Sequence, residues 1–501
     1  MAVRGDLELT SKFSRGLELS RQGQLKEANV LLFDVLRATP NNPGALYLLG
    51  SNLVKMRMFE PACRVLTDAT RLSPGNPDAH LDLSFALNAL GRPADALVCC
   101  DTALRIAPQN PAAHMQRAML LLSQLRHEEA VRAFDQVVAL APQFADAHYN
   151  RAKALTTLNR IEEAVESYDK AIAAKPPYIN AQAGKGTCLL SLGRFEEGLP
   201  LYELRPSLRK LTAARVYKQP RLTGDADISG KTLFIYHEHL LGDTIQFCRY
   251  VRLAEARGAR VILSIQNCLH RFIRTLSPTI ELFDEGQAPA QFDYHSPLMS
   301  LPLVWRTTAS TIPAEVPYLR AEPERVAKWR RRIGDHGFKI GVSWCGSPIA
   351  IEEHRVFPIA ALAKVSAMPG VRLISLQKNE GIEQLRNLPK GMRVETLGDD
   401  FDSGPDAFID TAAVAEHLDL IITLDSSLAH VGGALARPTW VVLKHSPDWR
   451  WRMKGGDCSW YPTLRLFRQA HLGDWTSAIS AVEQALTRLD VSAHQFADKG
   501  G

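Results

Sequence analysis

Small and apolar side chains recur with a period of 34 residues along the first part of the chain. Alanine and proline form two columns in this register, and each alanine has a small residue twelve positions earlier and a bulkier one four positions later. The columns are Ala28, Ala62, Ala96, Ala130 and Ala164, and Pro40, Pro74, Pro108, Pro142 and Pro176. Because small side chains let helices cross closely and proline ends a helix, each period predicts a pair of packed helices.

These columns resemble the consensus of the tetratricopeptide repeat. Five full repeats span residues 9–178, and a sixth begins at Ile179 but lacks the closing proline. We therefore expect an α-helical solenoid over residues 9–205. Such arrays have a concave binding surface, which favours capture of a protein, a peptide or a second copy of this chain. A structural spacer or a dimerisation arm is the alternative.

Histidine also recurs with this period, at His80, His114 and His148. Packed helices lie about 8–10 Å apart, so a single metal ion could not readily collect all three side chains. We expect these histidines to have a packing role.

The hydrophobic pattern changes after the repeats. Residues 206–230 are polar and basic and are expected to be a linker or docking segment. Short apolar runs then alternate with helical patterns, which predicts α/β structure with parallel sheets in two Rossmann-like domains, 231–325 and 326–490, and a flexible tail at 491–501. The expected strands are 232–236, 261–265, 339–343, 371–376, 420–424 and 439–443.

Ligands of parallel sheets bind at the carboxyl ends of the strands, so the residues after each strand are candidates for chemistry. After the strand 232–236, Gly242, Asp243 and Thr244 open a helix that continues through Gln246. Asp243 is a candidate general base at a cleft between the two domains. The alternative is that it only caps the helix, a role for which aspartate is favoured.

Two further strand ends carry candidate phosphate-binding residues. Asp425 ends a buried run, and Ser426 and Ser427 then begin a helix of small residues that includes His430. The free amides and dipole of such a helix can hold a diphosphate, although a capped helix packed on a sheet, with a buried core histidine, is the alternative.

Arg355 lies in the loop 347–358 that follows another strand. An arginine at this position could bind phosphate in a bidentate fashion, and a surface arginine is the alternative.

Together these segments resemble glycosyltransferases of the GT-B architecture, and most closely the heptosyltransferase-like family. The Gly242–Asp243 loop, the run from Asp425 to His430 and the basic residue before Phe357–Pro358 match its motifs. A variant fused behind tetratricopeptide repeats shares longer runs, such as Gly242–Tyr250 and Pro447–Trp451.

The resemblance implies transfer of a sugar from a nucleotide-sugar donor to the hydroxyl of a protein, peptide or glycan acceptor. It assigns the base to Asp243 and the diphosphate site to Arg355, Ser426 and Ser427. Asp425 and His430 would shape the donor site. Inversion at the anomeric carbon is expected, with no metal and no cofactor beyond the co-substrate.

The sequence departs from the family at His239–Leu241, where repeat-fused relatives tend to have Gln-Gly-Leu. This difference favours an alternative hypothesis, a repeat scaffold whose transferase half is not catalytic.

Composition and charge argue against several classes of protein. The 501 residues carry a net charge of +5, too small to attract nucleic acid over the whole surface. The eight cysteines include no CxxC pair, which argues against a zinc ribbon. Neither a secretory signal nor an apolar run of about 20 residues is present, so we expect a cytoplasmic protein without a membrane span.

Overall fold

The computed structural model describes residues 2–346 and 355–489. The loop predicted at 347–358 therefore lies outside the described residues as far as residue 354, and so does the predicted tail at 491–501. The chain divides into two compact units, Met1–Tyr178 and Ile179–Gly501.

The described residues of the N-terminal unit form consecutive helices with short connections. They are α1 (Ala2–Arg21), α2 (Leu25–Ala38), α3 (Pro43–Lys55), α4 (Phe59–Leu72), α5 (Pro77–Ala89), α6 (Pro93–Ile106), α7 (Pro111–Ser123), α8 (His127–Leu140), α9 (Ala145–Thr157) and α10 (Ile161–Ala174). From α2 onward each helix has 13 or 14 residues, so the 34-residue period corresponds to one pair of helices, as the pattern predicts.

The repeating columns form the core of this unit. All five alanines of the column have no exposed surface. A Cβ atom on Gly50 would lie only 2.4 Å from Cγ of Leu66, so α3 and α4 cross where no larger side chain fits. The helices α3, α5 and α7 each begin with proline, behind an asparagine whose side chain accepts hydrogen bonds from the first turn.

The three periodic histidines have a local structural role. Nε2 of each ring donates a hydrogen bond to the carbonyl of the proline six residues earlier, at 3.0 Å in His80, 2.8 Å in His114 and 2.9 Å in His148. These bonds tie the start of one repeat to the end of the preceding one. They give the three histidines one structural role that recurs with the repeat.

The C-terminal unit begins with three helices, α11 (Ile179–Ser191), α12 (Phe195–Tyr202) and α13 (Pro206–Ala214). The first two are the sixth helix pair, and α11 packs against a 3₁₀ turn at Trp449–Trp451. Residues 206–230, expected to be a linker or docking segment, pack on the α/β region, and Leu222 and Ile228 are buried there.

Two parallel sheets follow. The first contains β1 (Thr232–Tyr236), β2 (Arg260–Ser264), β3 (Glu281–Phe283) and β4 (Tyr294–Pro297), in the order β3-β2-β1-β4. The second contains β5 (Phe338–Val342), β6 (Val371–Ser375), β7 (Leu420–Leu424), β8 (Thr439–Leu443) and β9 (Leu464–Arg468), in the order β6-β5-β7-β8-β9. The expectation of α/β structure with parallel sheets is confirmed.

Helices connect the strands and cover the sheets. They are α14 (Leu241–Phe247), α15 (Arg249–Glu255), α16 (His270–Ile273), α17 (Leu301–Val304), α18 (Pro323–Ile333), α19 (Ala363–Ser366), α20 (Ile409–Ala415), α21 (Ser427–Ala434) and α22 (Trp475–Arg488). The helix α14 follows β1 and packs closely on α21, which follows β7. This contact brings the carboxyl ends of the two sheets together.

Candidate functional site

A cavity of ≈ 500 Å³ lies where the carboxyl ends of β1, β5 and β7 meet. Most of the predicted site residues line it: Gly242, Asp243, Arg355, Asp425, Ser426, Ser427 and His430. The end of α12 and the start of α13 contribute Tyr202, Arg205 and Ser207. A volume of this size falls in the range of about 300–1,000 Å³ that is typical of ligand sites.

Asp243 occupies the third position of α14, and both of its carboxylate oxygens accept hydrogen bonds. Oδ2 accepts from Nδ1 of His239 at 2.9 Å and from the backbone amide of Leu240 at 3.1 Å, and Oδ1 accepts from Nη2 of Arg450. The N-cap residue is Leu240, so Asp243 supports the start of the helix from its third position and not as the N-cap. The same side chain also lines the cavity.

The surroundings of Asp243 keep it ionised. Burial is the largest single influence and raises its pKa, but the charge of Arg450 and the hydrogen bond from His239 outweigh burial and lower the pKa to about 2. At neutral pH the carboxylate is negative, so the cavity contains a fixed anion on its β1 side.

Arg450 is a site residue that sequence reasoning missed. It belongs to the 3₁₀ turn Trp449–Trp451, and its side chain is only 11% exposed. Besides Asp243 it contacts Oδ1 of Asp448 at 3.1 Å, and its guanidinium lies 5.3 Å from the ring centre of Phe247. Burial opposes its charge, but the two carboxylates outweigh burial and raise its pKa. The residue stands inside the shared run Pro447–Trp451, the sequence signal that could have identified it.

The opposite wall of the cavity is the start of α21. Ser426 precedes this helix in an extended conformation, and its side chain makes no capping bond to the helix amides. Its hydroxyl lies 3.2 Å from that of Thr423 instead. The side chain therefore leaves the first amides of α21 to another partner, as an anion-binding helix N-terminus requires.

Arg355 and Asp425 form a pair beside this helix. Nη1 of Arg355 lies 3.4 Å from Oδ2 of Asp425, and the two side chains are 17% and 10% exposed. Burial raises the pKa of Asp425, and the charge of Arg355 opposes this effect. Arg355 is therefore a residue of the cavity wall and not an arginine of the outer surface.

His430 is an uncharged part of the cavity wall. Its Nδ1 lies 3.0 Å from the hydroxyl of Tyr461, and its ring stacks on Trp451 with the centres 5.3 Å apart. Burial, followed by the charge of Arg450, lowers its pKa to about 3. A Cβ atom on Gly242 would lie 3.0 Å from Cδ2 of this ring, so the glycine lets α14 approach α21.

Two predicted residues lie behind the cavity wall. The hydroxyl of Thr244 donates to Oε1 of Gln266 at 2.8 Å, and Nε2 of Gln266 donates to the carbonyl of His239 at 2.9 Å. Thr244 thus holds the loop that precedes α14. Gln246 is fully buried, and its side-chain amide has no hydrogen-bond partner among the residues that the structure describes.

The last helix pair anchors the same loop. Arg205 forms two hydrogen bonds with Glu238, at 2.5 and 3.0 Å, and a third with Ser300 at 2.9 Å. Tyr202 packs on Trp449, with the ring centres 5.6 Å apart. The neighbours of His239 and of Arg450 are therefore both held by residues at the end of the sixth helix pair.

Comparison with known proteins supports the repeat assignment. Two family models described as tetratricopeptide repeats match residues 53–120 and 115–179. The N-terminal helices form a tetratricopeptide-repeat solenoid. Repeats of this kind act as protein-binding scaffolds. Among the described residues, no helix combines the length and the apolar character that crossing a membrane requires.

Similarity to individual proteins is partial. FlbA of Caulobacter vibrioides is 27% identical over 285 residues, which are 52% of this chain and 47% of FlbA. The match thus spans about half the length of that relative. YrrB, described as a tetratricopeptide-repeat protein with an unusual peptide-binding site, is 26% identical with a TM-score of 0.32 and covers 35% of this chain and 90% of its own. TTC0263 of Thermus thermophilus is 23% identical with a TM-score of 0.30, over 36% and 99% of the two chains.

Proposed function

We propose that the C-terminal unit is a GT-B glycosyltransferase that moves a sugar from a nucleotide-sugar donor to an acceptor hydroxyl. One observation carries the proposal. A single cavity joins an ionised carboxylate near the start of α14 to the N-terminus of α21, which the Ser426 side chain does not cap, and to Arg355 beside Asp425. Sugar transfer needs both halves, because a proton must leave the acceptor while negative charge develops on the leaving diphosphate.

The donor side is assigned to the start of α21. Amides of this helix and the hydroxyls of Ser426 and Ser427 would bind the diphosphate, and Arg355 would add a positive charge. Asp425 holds Arg355 at 3.4 Å and so restricts where its guanidinium lies. The uncharged ring of His430 closes the wall beneath without adding a competing charge.

The acceptor side is assigned to Asp243 and its loop. An acceptor hydroxyl bound there would attack the anomeric carbon from the side opposite to the diphosphate, and the configuration would invert. Since helix amides and Arg355 neutralise the leaving group in this scheme, no metal takes part. The repeats would recruit a protein, peptide or glycan acceptor, or another partner.

A donor screen tests the proposal. The full chain is incubated with UDP-glucose, UDP-N-acetylglucosamine, GDP-mannose and ADP-heptose, and thermal unfolding and release of nucleoside diphosphate are followed. We expect at least one donor to stabilise the protein and to be turned over. Arg355→Met should weaken this donor's binding at least about tenfold, as loss of a charged hydrogen bond predicts. The exposed Arg331 provides the control R331M, which should bind like the parent. If no donor binds, the proposal fails.

The second candidate is a repeat scaffold with a non-catalytic α/β half. The observation that favours it is the occupation of both oxygens of Asp243 by Arg450 and His239. It predicts that the repeats bind a partner, or a second copy of the chain, with the same affinity in the parent and in R355M. Donor turnover by the parent that R355M weakens would exclude this candidate.

A further inference from the structure

The loop between β1 and α14 contains a carboxylate–imidazole pair. Nδ1 of His239 lies 2.9 Å from Oδ2 of Asp243. Because an ionised carboxylate only accepts, Nδ1 carries a hydrogen, and in the neutral form of the ring the lone pair is on Nε2. The imidazole lines the cavity, and its side chain is 48% exposed, against 10% for Asp243.

From this geometry we infer that the proton of the acceptor hydroxyl is taken by Nε2 of His239 and that Asp243 orients and balances the imidazole. The inference rests on the proposed transferase function. His239 thus has a catalytic role in this chain, at the position where repeat-fused relatives tend to have glutamine.

Asp243 is poorly placed to take the proton itself. Each of its oxygens already accepts a hydrogen bond, one of them from the permanently charged Arg450. The ionised form is stabilised so strongly, with a pKa of about 2, that its affinity for a proton at neutral pH is very low. A carboxylate in this state is suited to fix the tautomer of a neighbouring histidine, the arrangement found in hydrolase triads.

The groups around His239 give it a stronger affinity for a proton than a free histidine has. The hydrogen bond to Asp243 is the largest influence and raises its pKa above the ordinary 6.5, and the charge of Glu238 acts in the same direction. Burial and the charge of Arg450 act against this effect but do not cancel it. Among the described residues, these charged neighbours come from its own loop, from α14 and from the turn Trp449–Trp451.

The step balances without a further reagent. The acceptor oxygen forms a bond to the anomeric carbon, and the bond from that carbon to the diphosphate oxygen breaks. The electron pair of the broken bond leaves with the nucleoside diphosphate, and the acceptor proton moves to Nε2. The resulting imidazolium lies beside the Asp243 carboxylate and returns its proton to solvent after the product leaves.

Two variants and one control of the full chain test the inference, with the donor that the screen identifies. When the acceptor is unknown, hydrolysis of this donor is the reaction measured. His239→Gln keeps a hydrogen-bond donor for Asp243 but cannot accept a proton. We expect its kcat to fall by about 10²–10⁴ while the KM for the donor stays within about threefold. His239→Ala should regain activity on addition of free imidazole. The exposed His471 supplies the control H471Q, which should match the parent.

The pH profile separates the two possible bases. With His239 as base, the parent's kcat should fall as the pH drops through a value above 6.5, and Asp243→Asn should move this limb to lower pH. With Asp243 as base, the limb would instead lie near pH 2. Retained kcat in H239Q, or a limb near pH 2, overturns the inference and leaves the transferase proposal standing. A parent that turns over no donor overturns both.

The titration of the imidazole provides a measurement that does not depend on activity. NMR of selectively labelled histidine should give His239 a pKa above 6.5 in the parent and a lower one in D243N. An unchanged pKa in D243N would contradict the pairing on which the inference rests.

Discussion

The charge network around Asp243 should make the stability of the C-terminal unit depend on pH in a defined window. Asp243→Asn keeps the size of the side chain and removes its charge. The folded protein holds the carboxyl pKa at about 2, against an ordinary value of 3.8, chiefly because Arg450 and His239 outweigh burial. A lowered carboxyl pKa stabilises the folded state above the ordinary pKa, and this contribution is lost as the pH falls towards 2.

The size of the effect follows from the shift. A change from 3.8 to about 2 corresponds to about 2 kcal/mol of unfolding free energy at neutral pH. By linkage, about 1 kcal/mol of it should be lost by pH 3. The free energies of unfolding of the parent and of D243N should therefore converge by about 1 kcal/mol between pH 5 and pH 3.

Tryptophan fluorescence measures this unit selectively, since all eight tryptophans lie between residues 305 and 475. Urea unfolding of the parent and D243N, followed at pH 5, 4 and 3, gives the two free energies. The control is Asp400→Asn at an exposed carboxylate whose pKa is also lowered to about 2, by hydrogen bonds from Lys328 and Arg332. Added salt should abolish the effect of D400N and leave that of D243N, because solvent ions screen only the exposed pairs. A constant difference between the parent and D243N from pH 5 to pH 3 would refute the reasoning.

Three further substitutions test the packing around the cavity. Gly433→Ala places a Cβ atom 2.3 Å from Cδ1 of Tyr461, so it should destabilise the C-terminal unit by about 1–3 kcal/mol in urea unfolding, and a neutral result would mean that the ring can move aside. Trp449→Ala removes a buried side chain and should lower the free energy of unfolding by about 3–5 kcal/mol, as followed by circular dichroism melting. A loss below about 1 kcal/mol would contradict this expectation. Gly242→Ala brings a Cβ atom to 3.0 Å from His430, a ring that Tyr461 and Trp451 hold in place. Donor turnover should therefore fall at least about tenfold with little loss of stability. Turnover equal to that of the parent would contradict the close approach.

The repeats and most strands follow from local pattern. Five alanines in register predict helix pairs because the same crossing recurs every 34 residues, and the predicted strands lie within a residue or so of the observed ones. The missed strands lack the signal. β3 has only three residues, β4 contains a proline and a histidine, and β9 has arginine at two of its five positions and lies at the edge of its sheet. These three strands do not form apolar runs.

The site was predictable only in part, because a local pattern does not encode contacts between residues that are far apart in the sequence. Gly242, Asp243, Ser426 and Ser427 follow strands directly, and the topology of parallel sheets brings such positions together. Arg450 is 207 residues away from the carboxylate it contacts, and no local pattern encodes such a pairing. His239 stood out in the sequence only as a departure from relatives, and its contact with Asp243 emerges only when the loop is folded.

The attachment of α11 and α12 to the turn Trp449–Trp451 has a practical consequence for dividing the protein. A cut placed after residue 205, where the predicted array ends, would remove Phe195 and Tyr202 from the face of Trp449 and leave that apolar surface open to water. It would also release the loop that Arg205 holds through Glu238. A fragment intended to retain the cavity should therefore start at Ile179. The final repeat then stays with the α/β half, whose hydrophobic core it completes.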